Sequence, residues 1–328
     1  MRVLLLGSSG LLGHNVLRRL VNEGYSVRVL LRNRHSLKTD VTGVEVLECS
    51  ILDEAAVRDA AQSCDAVVNC VGTTDMSLLH LSDYLPMNRD LCGWIVNAME
   101  SHEINTLVHT STVNTIGYGQ AGQPADESVP MMPPFSESYY AESKCCGEEI
   151  VLEAARKHPN WHVVVVNPGY MLGAMDVKPS SGRMLLMGLH RRLMFAPRGG
   201  KAFVHVQDVA EAEVNALRQG ESGSRYIVVN SRGCHTIKQL YEMQAHLLGY
   251  RQHVVVLPDF LLAMAGRVGD VLRALGVRTE ISTRNVRQLM VREYYSNSHA
   301  LSDLHYSERS VEQAILDFHS WYRNKNQQ

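Results

Sequence analysis

The 328-residue chain has no excess of charge of either sign: 32 Lys plus Arg against 34 Asp plus Glu leave a net charge of −2. That balance excludes the basic footprint of a nucleic-acid-binding domain. Aromatic residues make up only 6%. The seven cysteines are odd in number and contain no C-x-x-C pair, with Cys145 and Cys146 adjacent and the rest scattered. A disulfide framework is therefore not expected, and free thiols in a reducing, cytoplasmic setting are. The fifteen histidines form no His/Cys cluster, and His158 and His162 are split by Pro159 and Asn160, so no metal site is expected. Long apolar runs are missing too. The N-terminal run Val3-Leu4-Leu5-Leu6 is too short for a signal peptide. No charge-free apolar stretch reaches the roughly 18 residues of a membrane span. With 45% apolar and 20% charged residues, the composition is that of a globular protein large enough to bury its own core without staples.

What is present is rhythm. Val3–Leu6, Ser26–Leu31, Val44–Leu47, Ala66–Val71, Thr106–Thr110 and His162–Val166 read as buried strands. Between them, Leu11–Asn22, Glu54–Ala61, Leu91–Ser101 and Tyr140–Lys157 carry amphipathic helical patterns. Strands alternating with helices predict an α/β fold with a doubly wound parallel sheet, and six such strands complete a dinucleotide-binding unit. We expect this Rossmann domain over residues 1–168. A smaller, helix-rich α/β substrate lobe is expected over 169–328, with part of 200–232 returning to the first domain. Residues 170–200 read as loop. Beyond them lie a strand and helix at Ala202–Arg218, a strand at Arg225–Val229, and helices at Ile237–Leu248, Pro258–Leu275, Thr283–Val291 and Val311–Asn324.

Gly7-Ser8-Ser9-Gly10-Leu11-Leu12-Gly13 follows the first strand and opens a helix. Glycines there let backbone amides approach a pyrophosphate, and the helix N-terminus adds partial positive charge. The spacing is G-x-x-G-x-x-G rather than G-x-G-x-x-G. A carboxylate at the end of the second strand would hold the ribose of NAD. This chain has Leu30-Leu31-Arg32-Asn33-Arg34 instead. Arg32 suits the 2′-phosphate of NADP, helped by Ser8, Ser9 or Arg34. NADP is therefore the expected cofactor, with NAD the alternative.

Tyr140-Ala141-Glu142-Ser143-Lys144 places a phenol and an ammonium one helical turn apart on one face. The cation beside the phenol is expected to lower the tyrosine pKa and ready Tyr140 for proton transfer near neutrality. Thr110-Ser111-Thr112 ends the fifth strand at the edge where open α/β sheets bind ligands. Either Ser111 or Thr112 is placed to hold a substrate oxygen.

Taken in order, these motifs resemble an extended short-chain dehydrogenase/reductase of the NAD-dependent epimerase/dehydratase type. The resemblance includes Ser50-Ile51-Leu52-Asp53, Val68-Asn69-Cys70-Val71-Gly72, Asn88 and Asn167-Pro168-Gly169, and it spans nearly the whole chain. Residues 175–183 and Phe203–Ala210 are similar to the dihydroflavonol-reductase-like branch, with 3β-hydroxysteroid dehydrogenases and hopanoid-associated sugar-epimerase-like proteins near in pattern. The resemblance implies Tyr140 as general acid or base and Lys144 as its partner and ribose ligand. It implies Ser111 or Thr112 as the catalytic hydroxyl, Thr112 standing where the family usually has serine. It also implies cofactor contacts from the glycine loop, Arg32, Ile51, Val71, Gly72 and Asn88, with Asn167, Pro168 and Gly169 beside the nicotinamide. Ser50 replaces the usual aspartate that reaches the adenine, leaving Asp53 downstream.

Substrate choice is expected in residues 73–86, 114–138 and 170–200. Met131, Met132, Met171, Met175, Met184, Met187 and Met194 suit either an adaptable apolar pocket or plain lobe packing. Lys178, Arg183, Arg191, Arg192, Arg198 and Lys201 suit either a substrate diphosphate or a solvated face. The segment Phe260–Leu275 is expected to pack within the substrate lobe, a membrane-surface role being the alternative. The leading functional expectation is an NADP-dependent oxidoreductase acting on the carbonyl or alcohol of a largely apolar small molecule. The alternatives are a nucleotide-sugar epimerase or dehydratase with tightly bound NAD, and a non-catalytic dinucleotide sensor. The family pattern implies a monomer, or a homodimer formed through the helices at Leu91–Ser101 and Tyr140–Lys157.

Overall fold

A computed structural model describes residues 1–37 and 42–327. The first part alternates strand and helix: β1 (Arg2–Leu6), α1 (Leu11–Asn22), β2 (Ser26–Leu31), β3 (Val44–Glu48), α2 (Glu54–Ala61), β4 (Ala66–Asn69), α3 (Leu91–Ser101), β5 (Thr106–Thr110), α4 (Tyr139–Lys157) and β6 (His162–Pro168). The expected strand at Ala66–Val71 stops at Asn69, because the Asn69 side chain accepts the Val71 amide at 3.1 Å and turns the chain out of the ladder. The second part comprises β7 (Tyr170–Leu172), α5 (Gly182–Gly188), β8 (Leu193–Ala196), β9 (Gly200–His205), α6 (Val206–Asn215), β10 (Ser224–Val228), β11 (Cys234–Thr236), α7 (Ile237–Leu247), β12 (His253–Val256), α8 (Asp259–Ala274), α9 (Thr283–Gln288), α10 (Ser298–Leu304) and α11 (Val311–Gln327).

Seven parallel strands form the central sheet in the order β10-β6-β5-β4-β1-β2-β3. Alternation along the strands divides it into two apolar faces. Val3 and Leu5 of β1, with Val27 and Val29 of β2, pack toward α1 and α6. Leu4 and Leu6, with Val67, Leu107, Val163 and Val165, pack toward α2, α3 and α4. Each of these fully buried aliphatic side chains contributes about 1.5–3 kcal/mol. Residues 224–228 complete the large sheet at its edge, and α6 packs on α1.

Residues 170–200, expected as loop, contain β7, α5 and β8. Short elements escape a periodicity reading, and these are held by tertiary partners: β7 pairs β9, and β8 pairs β12. A separate core gathers Leu172, Leu185, Phe203, Leu240, Ile315 and Phe318. Met184 and Met194 pack on that core and Met171 on the α1–α6 side of the sheet, so these three methionines serve packing. The helix expected at Thr283–Val291 ends at Gln288.

The sheet order reverses between β1 and β4, and the loops leaving β1, β4 and β5 meet there. The carboxyl edge at such a reversal is the usual ligand position of open α/β sheets.

Candidate active site

The turn after β1 is shaped by two glycines whose missing side chains are required. Gly7 has φ +86°, a region open to glycine at no steric cost, and a Cβ there would lie 2.8 Å from the Cys70 carbonyl. A Cβ on Gly13 would lie 2.1 Å from the Gly7 oxygen, so α1 closes directly onto the turn. Gly10 differs. It is exposed, and the nearest atom to its Cβ position is the Gly7 oxygen at 3.4 Å. It caps α1 with no side-chain hydrogen bond, and the first turn holds no acid. The helix therefore presents amides and partial positive charge on an open face, the arrangement that receives a phosphate anion. These residues fit a dinucleotide. Leu11 and Leu12 are buried, and Ser8 is fully buried with an unpartnered hydroxyl.

At the end of β2, Arg32 is exposed and makes no ion pair among the described residues. Arg34 is drawn to Glu48 at 3.4 Å, which leaves Arg32 as the free guanidinium at that strand end among the described residues. Asp53 is committed elsewhere: its carboxylate caps α2 by accepting the amides of Ala55 and Ala56. Ser50 accepts the Leu52 amide, and Ile51 packs on the α2–α3 side of the sheet.

The loop after β4 is clamped by Asn88, which sits in the π-wound turn Pro86–Asp90 leading into α3. Its oxygen accepts the Thr73 amide at 2.9 Å, and its nitrogen donates to the Thr73 carbonyl and to the Ser143 hydroxyl at 2.9 Å. A Cβ on Gly72 would lie 3.4 Å from the Asn88 oxygen and 3.7 Å from Lys144 Nζ. Val71, Gly72, Asn88 and Lys144 are thus brought together. His109, buried, bonds Asn69 through Nδ1 at 3.1 Å, and burial holds its imidazole far below the usual value, hence neutral.

Ser138 caps α4, which starts at Tyr139 and puts Tyr140 and Lys144 on one face. The Thr112 hydroxyl is near enough to the Tyr140 phenol to lower its pKa. Thr112 also accepts the Asn114 amide at 3.3 Å, while the Ser111 hydroxyl is buried and unpartnered. Of the two candidate hydroxyls, the one that acts on the Tyr140 phenol is Thr112. Lys144 is buried and donates from Nζ to the Thr110 carbonyl at 2.6 Å. The expected lowering of the Tyr140 pKa is not what the structure gives. Burial pushes the phenol up, and the Thr112 hydroxyl offsets this only in part. Burial also lowers Lys144, with the nearby Glu148 and Glu213 carboxyls acting in the opposite direction.

Asn167 is fully buried at the end of β6 and its nitrogen reaches the Thr112 carbonyl, the Thr115 hydroxyl and the Glu148 carboxylate at 2.9–3.1 Å. It fixes the backbone that presents Thr112. Pro168 closes the strand beside Val228. Gly169 is required by packing, since a Cβ would lie 2.3 Å from the Ala202 carbonyl.

Several supporting residues escaped the sequence reading. Ser143 lies inside the Tyr-x-x-x-Lys stretch, and Glu148 is one further turn beyond Lys144; helical spacing was the available signal for both. Glu213 had none: it comes from α6 to accept the Thr110 hydroxyl at 2.6 Å, and burial raises its carboxyl to about 8. Helices α8 and α9 also reach this end of the molecule. Arg273 donates to the carbonyls of Met76 and Leu78, Asn285 donates to Met76, and the Arg284 guanidinium lies 3.7 Å over the Tyr139 ring.

A seven-stranded dinucleotide-type sheet with a hydroxyl, tyrosine and lysine at its carboxyl edge defines a class, and comparison with known proteins agrees. The model of the NAD dependent epimerase/dehydratase family matches residues 3–230. The chain is 28% identical to a putative dihydroflavonol 4-reductase of Synechocystis sp., over 97% of this chain and 93% of that protein. It is 25% identical to sterol demethylase protein B of Methylococcus capsulatus, over 99% of each. In fold it is similar to the UDP-glucose 4-epimerase of Thermotoga maritima, with a TM-score of 0.79, 18% identity and coverage of 99% and 100%. The chain belongs to the NAD-dependent epimerase/dehydratase family. It is an NAD(P)-dependent oxidoreductase of the extended short-chain dehydrogenase/reductase type.

Proposed function

We propose that this chain reduces a carbonyl, or oxidises the corresponding alcohol, on a largely apolar small molecule with NADP as cofactor. The observation that carries the reading is the Thr112 hydroxyl set beside the Tyr140 phenol, with buried Lys144 one turn beyond. The glycine loop, Arg32, Ile51, Val71, Gly72, Asn88, Lys144, Asn167, Pro168 and Gly169 are the residues assigned to hold the cofactor. When bound, the nicotinamide supplies or accepts hydride. Thr112 holds the substrate oxygen, and Tyr140 gives it a proton in the reducing direction. A phenol held above its ordinary value is fully protonated at neutral pH, so that proton is in place. As it leaves, negative charge grows on the Tyr140 oxygen, one helical turn from buried Lys144, whose ammonium rests on the Thr110 carbonyl.

NADP is supported by the exposed Arg32 and by the lack of a carboxylate at the end of β2. An apolar substrate is supported by the names of the two relatives, a dihydroflavonol reductase and a sterol-acting protein. It is supported also by the basic residues of the second part. Arg183, Arg198 and Lys201 are neutralised by Glu280, Asp259 and Glu293, which leaves these three poorly available to a nucleotide-sugar diphosphate, whereas Lys178, Arg191 and Arg192 are exposed and make no ion pair among the described residues. The oligomer proposed with this reading is a monomer or a homodimer through α3 and α4.

The test is NADPH absorbance with a panel of hydrophobic ketones and aldehydes. Steady consumption is expected, faster than with NADH, falling about 10²–10⁴-fold in Tyr140→Phe, with Arg32→Ala narrowing the preference for NADPH. No consumption by folded, cofactor-binding protein overturns the reading, and isomerisation of a nucleotide sugar without net cofactor change replaces it.

A further inference from the structure

Helix α8 was expected to bury its apolar face, and it does the opposite. Phe260, Met264, Val268, Val271 and Leu275 are 56–74% exposed, although spacings of three and four put them on one stripe. The rotation is fixed from the other side. Gly266 and Gly269 are its only buried residues. A Cβ on Gly269 would lie 2.1 Å from the Ile281 oxygen, and one on Gly266 2.9 Å from Thr283 Cα. Asp270 accepts the Thr283 amide at 3.0 Å, and Arg273 is bonded to the Met76, Leu78 and Thr279 carbonyls. The helix is therefore seated by its glycine face and turns its apolar stripe to solvent. Val256, three residues before α8, is exposed as well.

Two exposed cations border the stripe without an ion-pair partner among the described residues. Asp259 is paired with Arg198, Glu280 with Arg183, and Asp270 is used within the helix seat. Arg267 on the flank and Arg278 just past the end are exposed and make no ion pair among the described residues. We propose that α8 is a membrane-surface anchor that lies flat on an anionic lipid bilayer, with its stripe at the acyl boundary and Arg267 and Arg278 among the headgroup phosphates. Its 16 residues measure about 24 Å, short of the roughly 30 Å hydrocarbon layer. Among the described residues no helix is long and apolar enough to cross a membrane.

Binding is read without substrate or cofactor, so its outcome is separate from that of the reaction proposed above. The full chain is sedimented with phosphatidylcholine vesicles and with vesicles that also contain phosphatidylglycerol. Expected are association with the anionic vesicles that weakens with salt, a loss of about tenfold or more in Phe260→Ser/Val268→Ser/Val271→Ser, and a loss of about fivefold per charge in Arg267→Gln and Arg278→Gln. The arginine variants keep the test open if the triple variant folds poorly. No association with anionic vesicles overturns the proposal. So does a dimer, seen by sedimentation velocity, that the triple variant dissolves while vesicles capture nothing.

Discussion

Two regions of this molecule invert the usual rule of apolar inside and polar outside, and they do so for different reasons. At the carboxyl edge of β4, β5 and β6 the buried side chains include Asn88, Lys144, Glu148, Asn167 and Glu213. On α8 the outer face is apolar for four turns. The first inversion is tolerated because each of these side chains makes at least one hydrogen bond, since a buried group left with none would cost about 1–3 kcal/mol. The second is tolerated because α8 is held through glycines, backbone contacts and Arg273, so its apolar side chains are not needed for packing. Burial follows what an element is fastened by, not its polarity.

The contrast predicts graded responses to substitution. The greatest is expected where backbone meets backbone: Gly13→Ala forces a Cβ to 2.1 Å from the Gly7 oxygen and is expected to cost about 3 kcal/mol and to abolish cofactor retention, read by thermal melting with and without NADP. Next comes Asn167→Leu. It removes the donor shared by the Thr112 carbonyl, the Thr115 hydroxyl and the Glu148 carboxylate, leaving them only their bonds to one another and to their other neighbours, and is expected to cost about 2 kcal/mol in denaturant unfolding; a wild-type midpoint would show that those remaining bonds suffice. Smaller per step is a pH effect at Glu213. Its carboxyl is held at about 8 when folded, against 4.5 ordinarily, so between those values the folded chain keeps a proton that the unfolded chain has lost. Stability is complete below about 4.5 and falls as pH rises through the window, by roughly 1.4 kcal/mol per unit from this group. Glu213→Gln is expected to remove that slope, and parallel melting-temperature profiles for the two proteins would refute the assignment. Smallest is Val268→Ser on the exposed stripe, expected within about 0.5 kcal/mol of the parent. A larger loss would mean that the stripe is packed in solution, and the contrast would fail.

The sequence announces the region built from long periodic elements. The six strands, the four helices between them and the glycine loop stand within a few residues of their expected places, because hydrophobic alternation and glycine spacing are local properties. Tyr140 and Lys144 were legible for the same reason, being one turn apart. What was not legible depends on chain segments far apart in number. The Thr110–Glu213 bond spans 103 positions. The choice between Ser111 and Thr112 rests on which hydroxyl lies nearer α4, and the fate of the Tyr140 pKa rests on its burial in the folded chain. The amphipathic pattern of Phe260–Leu275 was visible, but a pattern does not say which face is outward. Gly266 and Gly269, which decide it, look in sequence like mere helix weaknesses.

Thr110 has a consequence of its own. Its carbonyl receives Lys144 from the α4 side of the sheet, and its hydroxyl meets Glu213 from the α6 side. A single residue thus joins the two helical layers electrically, and the central sheet does not insulate one from the other. A change of charge made on the far layer is felt at the near one across the width of one strand, so selection acting on α6 can retune the acid–base behaviour of α4 while leaving every residue on α4 as it is.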